Sequence, residues 1–98
     1  MAETRLWYLV CYDVREPRRL RQTYKLLKGY GASLQYSIFR CRLNHRQLER
    51  LRWELEKVLD SEDGLMIAGM CASCIAQVVV RNPRVEWLPG QEPRFRII

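Results

Sequence analysis

Histidine is almost missing: His45 is the single one in 98 residues. That leaves no partner for imidazole-based ribonuclease chemistry, and no Ser–His–Asp arrangement stands beside it. Long apolar runs are missing too. The longest, residues 65–80, contains Gly69, Ser73 and Gln77, and it falls short of the about 20 apolar residues a membrane helix needs. No membrane partner is therefore expected. Residues 1–5 (MAETR) carry no apolar signal region, so a cytoplasmic location is expected, with Cys11, Cys41, Cys71 and Cys74 as reduced thiols. Internal repeats and low-complexity tracts are absent. Acidic residues are in the minority, 11 against 17 basic ones, which gives a net charge of +6 and a pI near 9.5.

What is present is an ordinary globular composition, 48% apolar and 29% charged. The length fits one domain with a modest core. The basic excess favours a polyanion, nucleic acid ahead of an anionic membrane surface. Arg outnumbers Lys, and its planar fork matches phosphate geometry. A GC-rich coding sequence would produce the same bias, so the ratio alone decides nothing.

Residues 6–12 (LWYLVCY) form a continuous apolar run that ends in Asp13. A run this short, apolar on both faces, predicts a strand in the middle of a sheet. Pro17 marks a helix start. Leu20, Tyr24 and Leu27 then recur on one face, and Arg18, Arg21, Lys25 and Lys28 on another. Gly29 and Gly31 end the helix. Residues 32–43 read as extended, long enough to need a bend or two short strands. Asn44 and Gln47 have capping-box spacing ahead of a stripe of Leu48, Leu51, Leu55 and Leu59. Residues 65–69 and 77–81 read as strands, 82–93 as a Pro-rich loop, and 94–98 as a last short strand. This order predicts an α+β ferredoxin-like βαββαβ sandwich over residues 1–81, with an extra C-terminal strand and a tail, 82–98, packing on a dimer partner. Both faces of the first strand are too apolar to be wet. A homodimer that buries the open face is therefore expected.

Three groups could carry chemistry. Asp13, at the end of a buried strand, could hold Mg²⁺ through one carboxylate plus water and phosphate; it could equally cap the next turn or pair with Arg15 or Arg18. The basic stripe, with Arg15 and Arg19 nearby, could track a phosphate backbone or be a solvated helix face. Cys71-x-x-Cys74 lacks two further zinc ligands at sensible spacing. It also lacks the strand-to-helix order of a thioredoxin motif, so it reads as structural or incidental. His45 reads as a first-turn helix residue. Tyr8, Tyr12, Tyr36 and Phe39 could stack on bases, but read mostly as core.

Residues 6–14 (LWYLVCYDV), the Arg cluster after them, residues 26–31 (LLKGYG) and residues 35–39 (QYSIF) together resemble the CRISPR-associated protein 2 family, the small dimeric partner of the CRISPR integrase. The resemblance covers about residues 6–80. It implies a homodimeric ferredoxin-like fold whose C-terminal strand, here 78–81 or 94–98, crosses to the partner's sheet. It implies that Asp13 faces its symmetry mate across the two-fold axis, where the pair can hold Mg²⁺ or another divalent ion. The family's basic positions fall on Arg19 and Arg21, and less surely on Arg15 and Arg18. Its polar and aromatic positions fall on Tyr12, Gln35, Ser37 and Phe39. The role implied is spacer acquisition, in which the dimer binds double-stranded DNA and bridges two integrase dimers. A metal-dependent endonuclease acting on RNA, single-stranded RNA included, or on duplex DNA is also implied. One carboxylate per subunit with no obvious base is thin equipment for hydrolysis, so the scaffold role ranks first. A toxin-type metal-dependent ribonuclease with no integrase role is the alternative.

Overall fold

The apolar run at the start of the chain becomes strand β1, Leu6–Asp13. It is hydrogen-bonded on both sides, antiparallel to β3 (Ile38–Leu43) and to β4 (Gly64–Met70). With β2, Gly31–Gln35, the sheet order is β2-β3-β1-β4. Helices α1 (Pro17–Lys28) and α2 (His45–Val58) complete the βαββαβ order, and a short helix α3, Ala72–Ala76, follows β4. The computed structural model describes residues 4–35 and 37–79. The expected crossing strand at 94–98 and the tail 82–98 lie outside the described residues.

Local chemistry sets the helix ends. Glu16 caps α1, its carboxylate accepting from the backbone N–H groups of Arg18 and Arg19 at 3.1 and 2.7 Å. The capping box forms at α2: Gln47 N–H donates to Asn44 Oδ1 at 2.8 Å, and Asn44 N–H to Gln47 Oε1 at 2.9 Å. The long extended segment does break in two, between β2 and β3, with a register shift at Ser33/Gln35.

Both long helices cover one sheet face. Val10, Tyr12 and Val14 there meet Leu27 of α1, Leu51 and Leu55 of α2, and Phe39, Cys41 and Leu43 of β3. The buried face of α1 differs from the sequence expectation. Thr23 and Leu27 point inward, while Leu20 and Tyr24 stay more than one-third exposed. Thr23 is tolerated in the core because its hydroxyl donates to the Arg19 carbonyl at 2.8 Å. Tyr24 instead packs edge-on against Phe39, ring centroids 5.4 Å apart.

The open face differs as well. The chain after β4 does not continue as a strand at residue 77. Gln77 N–H donates to the Cys74 carbonyl and closes α3. Ile75 is buried, α3 lies against β1, and Val78 joins Leu9 and Ile38 around Leu34. Part of the face expected to need a partner is thus covered by residues 72–79 of the same chain. Met66, on the same face as Cys11, is 59% exposed.

Gly31 is fixed by space alone. A Cβ there would lie 2.1 Å from the Arg40 carbonyl oxygen and 2.6 Å from Cys41 Sγ. The backbone carbonyl cannot yield without breaking the β2–β3 ladder. Gly31→Ala is expected to cost about 3 kcal/mol, at the upper end of overpacking penalties. Thermal unfolding followed by circular dichroism reads this as a drop of about 12 °C or more for a domain of this size. A variant within a few degrees of wild type would show that the strand pair can part.

Candidate nucleic-acid interface

Asp13 is the last residue of β1 and its side chain is exposed. The β1–β4 register sets it opposite Gly64, so the loop before β4 arrives beside it. Asp13, Arg15, Glu62 and Asp63 line one open cleft of about 300 Å³. The β2–β3 turn comes to the same end of the sheet, where Tyr12 N–H donates to the Ser37 carbonyl at 3.0 Å. Gln35 and Ser37 are half-buried there.

Arg19 is expected to meet phosphate, yet it is turned inward. Its Nε donates to Asp63 Oδ2 at 2.8 Å and its Nη2 to Glu62 Oε1 at 2.9 Å; Nη1 lies 3.8 Å from Asp60 and 3.9 Å from Glu16. This fork holds loop 59–63 against α1. The Asp63 side chain is only 2% exposed, and the Arg19 hydrogen bonds hold its carboxyl below the usual carboxylate range. The same bonds raise the Arg19 guanidinium further, the Asp63 bond most of all. Asp60, Glu62 and Asp63 went unrecognised in the sequence as part of a site. The signal was available: antiparallel pairing of β1 with β4 carries the loop that opens β4 to the end of β1.

Tyr12 and Phe39 need correction. They are 4% and 0% exposed and stack on each other beneath α1, centroids 6.3 Å apart. A nucleic-acid base cannot reach either ring, and both belong to the core. Burial, aided by neighbouring Tyr24, pushes the Tyr12 phenol up to about 12.

Arg18, Arg21, Lys25 and Lys28 all project from the exposed side of α1, and Arg15 is exposed just before it. No carboxylate among the described residues pairs with any of the five. Lys28 Nζ instead sits 5.4 Å from the Tyr24 ring centroid. From Arg18 to Lys28 the stripe runs about 15 Å at helical rise. Phosphates along one duplex strand advance about 3.4 Å each, so it can span about four of them.

The CRISPR associated protein Cas2 family model matches residues 6–78. The chain belongs to the Cas2 family. Relatives include a "CRISPR-associated endoribonuclease Cas2 1" of Chloroflexus aurantiacus, 35% identical over 76% of this chain and 83% of that protein. A "CRISPR-associated endoribonuclease Cas2 2" of Thermodesulfovibrio yellowstonii is 42% identical over 58% of this chain, and that match spans 63% of the relative's length. Among solved structures, the hypothetical protein TT1823 of Thermus thermophilus superposes with a TM-score of 0.68 at 36% identity, over 69% of this chain and 84% of that one. Streptococcus pyogenes Cas2 at pH 6.5 superposes with a TM-score of 0.66 at 26% identity, over 85% and 99%. The Cas2 fold is thus the α+β ferredoxin-like sandwich seen here. No helix among the described residues is long and apolar enough to cross a membrane.

The Arg19–Asp63 pair makes a pH prediction. A carboxyl whose folded pKa lies below its ordinary 3.8 stabilises the fold above that value, and the contribution is lost as pH falls through the lower, folded pKa. Urea midpoints should therefore fall on acidification below about pH 4. Asp63→Asn should flatten that acid limb and start from a lower midpoint at neutral pH. Parallel curves for the two proteins would contradict the pairing.

Proposed function

We propose that this Cas2 chain is the nucleic-acid-holding subunit of CRISPR adaptation. In this reading a homodimer binds duplex DNA along the outward face of α1 and bridges integrase dimers during spacer acquisition. The observation that carries it is the division of the Arg residues around α1. Arg19 ties down the acidic loop from inside, while Arg18, Arg21, Lys25 and Lys28 point outward with no carboxylate ion-paired to them among the described residues. Such a surface gives sequence-independent, salt-sensitive affinity. The exposed apolar surface on the open sheet face, with Met66 upon it, supports a second copy as a partner.

Endonuclease activity is the second reading, supported by the exposed Asp13 carboxylate and by the endoribonuclease names of the relatives. Asp13 fits a hard cation such as Mg²⁺: it is an exposed oxygen donor with Arg15 in the same cleft to meet a phosphate. Among the described residues no three His, Cys, Asp or Glu side chains converge as a metal cage. Asp13 would therefore hold the ion as one of few protein ligands. When bound, the ion would supply charge neutralisation and an acidified water. Asp13 would anchor the ion and Arg15 would orient the phosphate, while the two other carboxylates of the cleft, Glu62 and Asp63, are engaged by Arg19 rather than free to act as a general base. RNA in place of duplex DNA, and a toxin-type ribonuclease without an integrase, remain outcomes of the cleavage assay.

Changing Arg18, Arg21, Lys25 and Lys28 together to Gln should weaken duplex binding. It should also reduce the slope of log K against log salt by about 3.6 per engaged protomer, at about 0.9 per lost phosphate contact. An unchanged slope in a folded variant would refute the α1 surface. Asp13→Asn should leave binding within about twofold and, if cleavage occurs, reduce it by about a hundredfold or more. Cleavage that survives both this change and EDTA would remove Asp13 from the chemistry.

A further inference from the structure

The β1–β4 register that brings Asp13 to Gly64 also sets Trp7 opposite Met70. Cys71 and Cys74 therefore lie at the opposite end of the sheet, about 20 Å away at ordinary strand rise. The two thiols are exposed and their Sγ atoms are 3.0 Å apart. Cys74 N–H donates to Cys71 Sγ at 3.3 Å, and the Ser73 hydroxyl lies 3.2 Å from the same sulfur. Two polar groups thus converge on one sulfur, with the second thiol already in contact. Cys11 and Cys41 are unlike this. Cys41 is fully buried and its thiol is pushed up to about 11, and Cys11 is half-buried and raised by the same cause.

We propose that Cys71 and Cys74 form a thiol–disulfide exchange site that takes a small-molecule disulfide, such as oxidised glutathione, as its substrate. The Cys71 thiolate attacks one sulfur of the disulfide. That bond breaks, one glutathione thiolate leaves and takes up a proton, and Cys71 carries the other glutathione as a mixed disulfide. Cys74 then loses its proton and attacks Cys71 Sγ, releasing the second glutathione thiol. The protein dithiol is oxidised by two electrons to a Cys71–Cys74 disulfide, and one glutathione disulfide is reduced to two thiols. Reduced glutathione in excess runs the exchange backwards.

The order of attack follows from the contacts. Hydrogen bonds from Cys74 and Ser73 favour the Cys71 thiolate and push it down to about 7, while Cys74 is raised by its bond to Cys71. At neutral pH the thiolate fraction of Cys71 is about fiftyfold that of a thiol at 9, and lower intrinsic nucleophilicity returns about tenfold of that, leaving a net gain of about fivefold.

The test is to treat the full-length protein with oxidised glutathione at several pH values, quench with acid, alkylate, and map the cysteines by peptide mass spectrometry. Wild type should form a disulfide within residues 71–74, with a rate that levels off above about pH 7. Cys74→Ser should accumulate a stable glutathione adduct on Cys71 that wild type does not retain. Cys71→Ser should react at Cys74 about fivefold more slowly or less readily still. Both positions are exposed, and unchanged circular dichroism confirms that each variant folds. Persistent mixed disulfide on wild type, equal rates for the two variants, adducts at Cys11 in place of Cys71, or no reaction would overturn the proposal.

Discussion

The register between β1 and β4 is the constraint on which the molecule turns. Among the described residues, β1 is the one strand paired over nearly its whole length on both edges. Pairing Asp13 with Gly64 brings the acidic loop to the end of β1, and pairing Trp7 with Met70 carries the cysteine pair to the other end. A one-residue slip would exchange the faces of every β4 side chain, exposing Leu65 and Ile67 and burying Met66. It would also move the carboxylates that Arg19 holds. Fold and surface chemistry are therefore fixed by one set of backbone hydrogen bonds.

The second organising feature is the unequal fate of neighbouring Arg residues. Arg18 and Arg19 are adjacent, yet a helix turns them about 100° apart. Arg19 falls over loop 59–63 and meets several carboxylates, while Arg18 falls on the solvent side with Arg21, Lys25 and Lys28. The positive charge is thus sorted. The inward part ties α1 to the loop, and the outward part remains a continuous stripe beside the Asp13 cleft. An exposed surface pair would contribute little to stability. The Asp63 side chain is nearly buried, and its carboxylate also accepts from Asp60 N–H at 2.8 Å, so this contact organises the loop.

Much of this was legible in the residues. Continuous apolar character in residues 6–12 pointed to a central strand, and Asn44 with Gln47 announced the start of α2. Asp13, Arg15 and the four-residue basic stripe were placed where the structure has them, on an exposed surface. Tyr12 and Phe39 read mostly as core from their residues, as the structure has them, and only the family resemblance set them among the nucleic-acid contacts, because an aromatic ring has the same composition signal in a core as on a binding face. Only the alternation of β1, which puts Tyr12 with Val10 and Val14 on the helix-covered side, separates the two. The α1 face was misread because Thr23 counts as polar until its bond to the Arg19 carbonyl is seen. Arg19 was misread because its hydrogen-bond partners Glu62 and Asp63 lie more than 40 residues away in sequence. The helix at Ala72–Ala76 was missed because a run of small apolar residues gives no period, and its cap is a cysteine, outside the usual capping set.

The most direct test of the scaffold account is spacer integration reconstituted with the cognate integrase, a short DNA duplex and Mg²⁺. Wild type, Asp13→Asn and the α1 variant with Arg18, Arg21, Lys25 and Lys28 changed to Gln would be compared, each verified as folded. The account predicts that Asp13→Asn integrates like wild type and that the α1 variant loses integration as its duplex affinity falls. Full integration by the α1 variant, or loss with Asp13→Asn alone, would contradict it and move the functional centre from the basic face of α1 to the carboxylate at the end of β1.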